Sequence, residues 1–425
     1  MFSLAWKNFT QSLDRHPITL VTLTAAIIVL VGLIGIVEGM SHAVHEKSLR
    51  YFAGDVSIQS YRDQDSDVFE RADRVIDDLA TVIPENTGML LRSIYYEADV
   101  RLFFGGRYFS TRRLIGVDWE VESEHLNDLS IVAGTVPQYT DEDGIVISTA
   151  ATEELGIGIG DEAILSVTNQ RGQVDTARTI VRAVFDDRSF FGYAAYLSRE
   201  RLNSIVGFPE DGVTEIGLLL PDTASVDAVA NEVHNRLSVS NSVLPIPQDR
   251  AQRRHWVSEA GSEPVINVMP MDANLDEVRD LLSALRSVAI GVVGLFLAIV
   301  VVGVSNTFVV IVKERVVQIA TLRALGMRRF DSVAVLSAEA TIISLACLIV
   351  GIPVGLAVLV AVNALVNPPV ADLTSMFLVN GSIPWHLSGA WVVLIVLSVL
   401  AATLLGVLRP ALRAVSISPV EGLRT

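Results

Sequence analysis

The chain has 425 residues, 51% of them hydrophobic and only 19% charged, with a formal net charge of −16. That balance is too apolar for an ordinary soluble protein and too acidic for a nucleic-acid partner. A single cysteine, Cys347, excludes an intrachain disulfide.

At the start, Phe2, Ala5, Trp6, Phe9 and Leu13 recur at helical spacing with Lys7, Asn8, Gln11 and Asp14 between them. The spacing predicts an amphipathic helix over 1–17 lying in the membrane interface, with Trp6 at headgroup level. Residues 18–37 then form a first charge-free stretch, long enough to span the hydrocarbon core. Lys7 and Arg15 before it, and Ser41-His42-Ala43 after it, resemble the flanks of a secretory signal. The apolar run exceeds the roughly 7 to 15 residues of such signals, so it reads as an uncleaved anchor.

Residues 38–287 are the polar part of the chain, with 22 Lys and Arg against 42 Asp and Glu, about −20. Helical spacing continues beyond the first span through Met40, Val44 and Ser48. Leu275, Val278, Leu282, Leu285 and Ala289 lead into the second span with a 3.5-residue period, the mark of a packing seam. A two-helix stalk is expected. Between its arms the pattern is mixed. Val56 and Ile58 alternate as a strand, and 101–104 and 107–110 read as a hairpin about Gly105-Gly106. A strand at 145–148 runs into a helix at 149–155, closed by Gly156, Gly158 and Gly160. Strands at 163–168 and 179–185 flank a turn at 169–172, and 224–237 is helical. Two intertwined α+β subdomains are expected. His42 and His45, three apart beside Glu46, read as hydrated side chains of an exposed helix, and no metal site is assigned.

Three further spans are expected at 288–312, 340–366 and 387–408. Lys313, Arg315, Arg323, Arg328 and Arg329 between the second and third, and Arg409, Arg413 and Arg424 after the fourth, put 313–339 and the tail 409–425 in the cytoplasm. The loop 367–386 has no Lys or Arg, which places it and 38–287 outside. Gly35 with Gly39, and Gly351 with Gly355, have the G-x-x-x-G spacing that lets helices approach closely. Pro353 between the second pair is expected to loosen the third span. Ser305, Asn306 and Thr307 are expected to hydrogen-bond across helices.

No Gly-Lys dipeptide occurs, so these residues hold no G-x-x-x-x-G-K-[ST] phosphate loop. H-E-x-x-H and G-x-S-x-G are absent too, and no catalytic residue is assigned.

After the second span, Glu314, Arg315, Val316, Val317, Gln318, Ile319, Ala320, Thr321, Leu322, Arg323, Ala324, Leu325 and Gly326 read as a short helix ended by glycine. Val316, Ile319, Ala320 and Leu322 are expected on one side. This segment resembles the hallmark of the FtsX/MacB-type ABC transporter permeases. Leu4-Ala5-Trp6-Lys7-Asn8, the run 145–161 and the ending 418–424 are similar to the family's N-terminal helix, periplasmic core and C-terminal signature. The layout is closest to the lipoprotein-releasing transmembrane subunits. The resemblance implies a multi-pass inner-membrane protein with four transmembrane helices and a large α+β extracytoplasmic domain. It implies an ABC-type ATPase dimer that carries ATP and Mg, this chain binding neither. It further implies coupling through Glu314, Arg315, Gln318, Ile319, Leu322, Arg323, Leu325 and Gly326. A second permease copy or paralogue, membrane lipids, lipoproteins and a periplasmic carrier are the other implied partners. Gln318 stands where the family usually has Glu, and the hairpin 166–179 is short where one lipoprotein-releasing subunit has a carrier-recruiting hook. Export of peptides or drugs through an outer channel, and signalling to a cell-wall hydrolase, are the alternative roles within the family.

Overall fold

The computed structural model describes residues 17–96, 100–127, 131–138, 141–188, 190–221, 223–314, 316–365, 377–378 and 382–416. Residues 1–16 of the expected interfacial helix, Arg315, most of the loop 367–386 and the C-terminal signature lie outside the described residues. In chain order the elements are α1 (Pro17–Tyr51), β1 (Val56–Arg62), β2 (Asp65–Ser66), α2 (Ala72–Ala80), β3 (Gly88–Tyr96), β4 (Arg101–Phe104), β5 (Arg107–Ser110), β6 (Arg113–Val117), α3 (Trp119–Asn127), β7 (Ile131–Gly134), β8 (Gly144–Ser148), α4 (Thr149–Leu155), β9 (Glu162–Thr168) and β10 (Val174–Phe185). A 3-10 turn (Phe190–Tyr193), β11 (Ala194–Ser198), α5 (Arg199–Val206), β12 (Glu215–Leu219), α6 (Val226–Leu237), α7 (Arg250–Ala260), β13 (Val265–Pro270), α8 (Met271–Asn274), α9 (Asp276–Glu314), α10 (Val316–Ala324), α11 (Arg329–Leu365) and α12 (Gly389–Ser416) complete it. The chain divides into two units, one of Met1–Met40, Ser283–Asn367 and Pro384–Thr425, the other of Ser41–Leu282 and Pro368–Ile383.

The second unit is built on strands in the order β13-β1-β12-β3-β6-β11-β8-β10-β9-β4-β5. β3 joins its two halves, pairing with β12 through Gly88–Arg92 and with β6 beyond Ser93. Because β1, β12 and β13 come from the two ends of the segment and β4 to β11 lie between them in sequence, the halves are intertwined. The central strands β6, β8 and β11 are buried at every position, so the sheet is covered on both faces there. Alternation sorts their side chains. Ile145, Ile147 and Leu197 join the core beneath α4 and α5, while Val146 and Tyr196 join the one holding Trp119 and Phe52. A third core packs α2 and α6 on β1 and β12 through Val75, Leu79, Val229 and Val233. Two strand-to-helix corners share one design: Ser148 and Ser198 cap α4 and α5, accepting from Ala151 and Arg201 N–H, and left-handed Gly156 and Gly207 end them. The hairpin about Gly105-Gly106 is present as β4 and β5.

In the first unit, four helices are long and apolar enough to cross a membrane. Each buries one stripe: Ile27, Leu30 and Val31 of α1, Val304 and Phe308 of α9, Leu348 and Leu359 of α11, and Val399 and Val407 of α12. The opposite faces stay apolar and exposed, as at Val288, Ile299, Ile349 and Leu397, which suits lipid rather than water.

Several expectations change. The seam divides: Leu275 and Leu282 pack into the sheet domain, Ala289 is buried, and Leu285 is 38% exposed. Leu275 precedes the long helix, so helical periodicity does not govern it. The third long helix begins at Arg329, and Leu336, Glu339 and Ala340 are buried within it. The fourth continues to Ser416, because Val407, Ala411 and Ala414 extend its buried stripe past Arg409. Pro353 and Pro410 lie inside helices that continue through them. Asn306 is exposed, and the Thr307 hydroxyl donates to the Gly303 carbonyl of its own helix. An interhelical hydroxyl bond joins Ser344 and Thr403 at 2.8 Å.

Candidate functional site

Three features of the first unit stand out. The first is α10, whose inner face is made by buried Ala320, by Ile319 packed on the bundle core, and by half-buried Val316 and Arg323. Arg323 Nη1 donates to the Val415 carbonyl at 3.0 Å, tying α10 to the last turn of α12. A cation there also satisfies a carbonyl that the helix end leaves open. Gly326 at φ +100° closes α10, with Met327 N–H donating to the Leu322 carbonyl at 3.1 Å.

Leu322 corrects the sequence reading. It lies roughly a third of a turn from the centre of the inner face, and is 43% exposed. Leu325 and Phe330, 81% and 83% exposed, extend an outward apolar surface. Glu314, Gln318 and Gly326 are exposed as well, while Ile319 and Arg323 face inward. The segment therefore divides into an anchoring face and a free face.

The second feature is close helix approach. An added Cβ would lie 2.8 Å from Ile27 at Gly351 and 2.9 Å from Val31 at Gly355, so the third helix rests directly on α1. At Gly35 it would lie 2.7 Å from Leu359, and at Gly39 it would meet the backbone of Pro384 and Trp385. The Gly35 carbonyl accepts from His386 N–H at 3.0 Å. Gly406 makes a further approach, to the Val301 carbonyl at 2.8 Å. It has no glycine partner at four-residue spacing, so the sequence offered no signal for it.

The third is a cavity of about 300 Å³ between α1, α9 and α12, walled by Leu30, Ile34, Val293, Leu297, Leu394 and Ile395. At one end Arg286 lies 3.5 Å from Glu38, and its guanidinium sits 5.6 Å from the Trp391 ring centre. An apolar chamber with a charged and aromatic rim fits an amphipathic guest.

Residues 18–236 match the family model described as the MacB-like periplasmic core domain, and residues 290–419 match that of the FtsX-like permease C-terminal domain. With its apolar helices, the chain is a membrane permease subunit bearing an extracytoplasmic α/β domain. It belongs to the FtsX/MacB-type ABC transporter permease superfamily, whose members work with ABC ATPases. Among solved structures it is similar to the periplasmic region of MacB from Actinobacillus actinomycetemcomitans, with 11% identity over 55% of this chain and 95% of that one, at a TM-score of 0.31. No curated protein matches it.

Proposed function

We propose that this chain is the permease subunit of an inner-membrane ABC transporter that works by mechanotransmission and releases lipoproteins from the membrane. The apolar cavity between α1, α9 and α12, rimmed by Glu38, Arg286 and Trp391, carries this reading. Its walls suit acyl chains and its rim suits the polar group that bears them. A separate ATPase dimer binds ATP and Mg and docks on the free face of α10, at Leu322 and Leu325. Closure of that dimer presses on α10. The Arg323 bond to Val415 and the packing of Ile319 pass the displacement to α12 and the bundle core. A second copy or paralogue completes the membrane assembly.

The test is to isolate the permease with its ATPase in lipid nanodiscs, arrest hydrolysis with an ATP-trapping ATPase variant, and identify co-purified molecules by mass spectrometry. Acylated proteins are expected. Their absence, with peptides or drugs retained instead, would replace lipoprotein release by export. Retention of a cell-wall hydrolase alone would favour signalling.

A further inference from the structure

The outer domain contains a second cavity, of about 370 Å³, formed wholly within the second unit. Tyr51, Phe52, Tyr61 and Tyr96 supply aromatic walls, and Arg250, Arg253 and Arg254 enter from α7. The spacing of these arginines, three and then one, puts all three on one face of the helix. Arg250 opens the helix, and Asp249 is its N-cap, accepting from Gln252 N–H at 2.7 Å.

The guanidiniums are arranged around the rings. Arg250 lies 5.4 Å from the Phe52 ring centre and Arg253 5.9 Å from that of Tyr61. Behind the wall, fully buried Arg113 lies 4.4 Å from the Tyr51 ring and 5.0 Å from the Tyr96 ring. Arg113 bonds Glu215 at 3.1 Å through Nη2, yet its Nε and Nη1 have no hydrogen-bond partner among the described residues. Several arginines of this domain are matched with carboxylates, as in Arg92 with Glu122, Arg182 with Asp141 and Arg236 with Asp78. Arg253 instead reaches neutral acceptors, Gln59 Oε1 at 3.2 Å and Asn274 Oδ1 at 3.5 Å, and among the described residues neither it nor Arg254 is ion-paired. The lining contains one carboxylate, Asp65. Burial holds the Tyr61 phenol above its ordinary range against the pull of Arg253, so it stays a neutral donor, bonded to Gln59 Oε1 at 2.6 Å.

The cavity thus sets two guanidiniums without a carboxylate partner among the described residues, Arg253 half-buried and Arg254 exposed, beside aromatic walls, an arrangement suited to an anion with an apolar body. We infer that this cavity is a binding site for a compact organic anion, a carboxylate or phosphate carried on an aromatic or apolar body. The guanidiniums of Arg253 and Arg254 take the anionic group, and Tyr51, Phe52 and Tyr61 take the body. This inference does not depend on the cargo or on the ATPase.

The full chain in nanodiscs, without ATPase, is titrated with phenyl phosphate, phenylacetate and 2-phenylethanol by saturation-transfer NMR, with empty nanodiscs as the blank. Saturable binding of at least one of the two anions is expected, with at least tenfold weakening in Arg254→Glu. The exposed Arg178→Glu variant on β10 is expected to bind as the parent does. Preference for phenyl phosphate assigns a phosphate-bearing ligand, and preference for phenylacetate a carboxylate. No saturable binding of either anion up to millimolar concentration, equal binding of 2-phenylethanol, or unchanged affinity in an Arg254→Glu protein with parental melting temperature would each overturn the site.

Discussion

Arg92 and Glu122 are fully buried, and Arg92 holds both carboxylate oxygens of Glu122, the closest contact being 2.6 Å, while Nη1 donates to the Arg50 carbonyl. Removing one partner of such a pair strands the other, at a cost of about 3–5 kcal/mol. Glu122→Gln is therefore expected to lower the melting temperature of the purified chain markedly, whereas Glu162→Gln, which breaks the exposed pair with Arg178, should leave it unchanged. Equal effects in the two variants would contradict this assignment. Close helix contact makes a second expectation. Gly351→Leu drives a side chain into Ile27, and overpacking of this kind costs about 1–3 kcal/mol, whereas Gly294→Leu meets open space and should be tolerated. Thermal unfolding in detergent compares them directly. The four-residue spacing of Gly351 and Gly355 marked a candidate packing face, and packing supplied the neighbours, Ile27 and Val31. The buried Arg92 and Glu122 were not legible, since thirty positions separate them and single charges in an acidic segment read as surface.

At the scale of the element, α10 shows how far a motif reaches. Its existence, and its end at Gly326, follow from apolar periodicity and a residue suited to positive φ. Which side anchors it depends on what the bundle offers: Ile319 and Ala320 find the core, Arg323 finds the Val415 carbonyl, and Leu322 and Leu325 stay exposed. Leu325→Asp is expected to reduce co-purification with the ATPase at least tenfold while leaving the melting temperature unchanged, because the side chain contributes no packing. Leu322→Asp should behave alike. Ile319→Asp should instead destabilise the bundle by burying a charge. Should Leu325→Asp retain full association, the free face of α10 is not the docking surface. Val293→Trp, which fills the cavity between α1, α9 and α12, is predicted to deplete acylated proteins from the arrested complex without affecting ATPase association.

For the whole molecule, the charge placed along the chain predicts orientation, with the sheet domain outside and α10 inside. A Cys347→Ser background removes the only native thiol. In it, Ile164→Cys on exposed β9 should react with an impermeant maleimide in right-side-out vesicles, and Phe330→Cys only after permeabilisation. Labelling in the reverse order would invert the topology. The intertwining of the sheet belongs to this scale too. β3 bonds β12 with its first half and β6 with its second, so neither half of the domain closes without it.

Four spans, their order about one large acidic domain, and the helix between the second and third are determined by the sequence alone. Each rests on a local rule: a length of apolar chain, a count of positive charges, a spacing ended by glycine. Tertiary structure alone decided the exposure of Leu322, the approach of Gly406 to Val301, the 300 Å³ chamber, and the gathering of Arg113 with Arg250, Arg253 and Arg254 around four aromatic rings. Those depend on which distant surfaces meet, and the energy of a contact is set by the neighbour that packing supplies, which no spacing along one chain specifies.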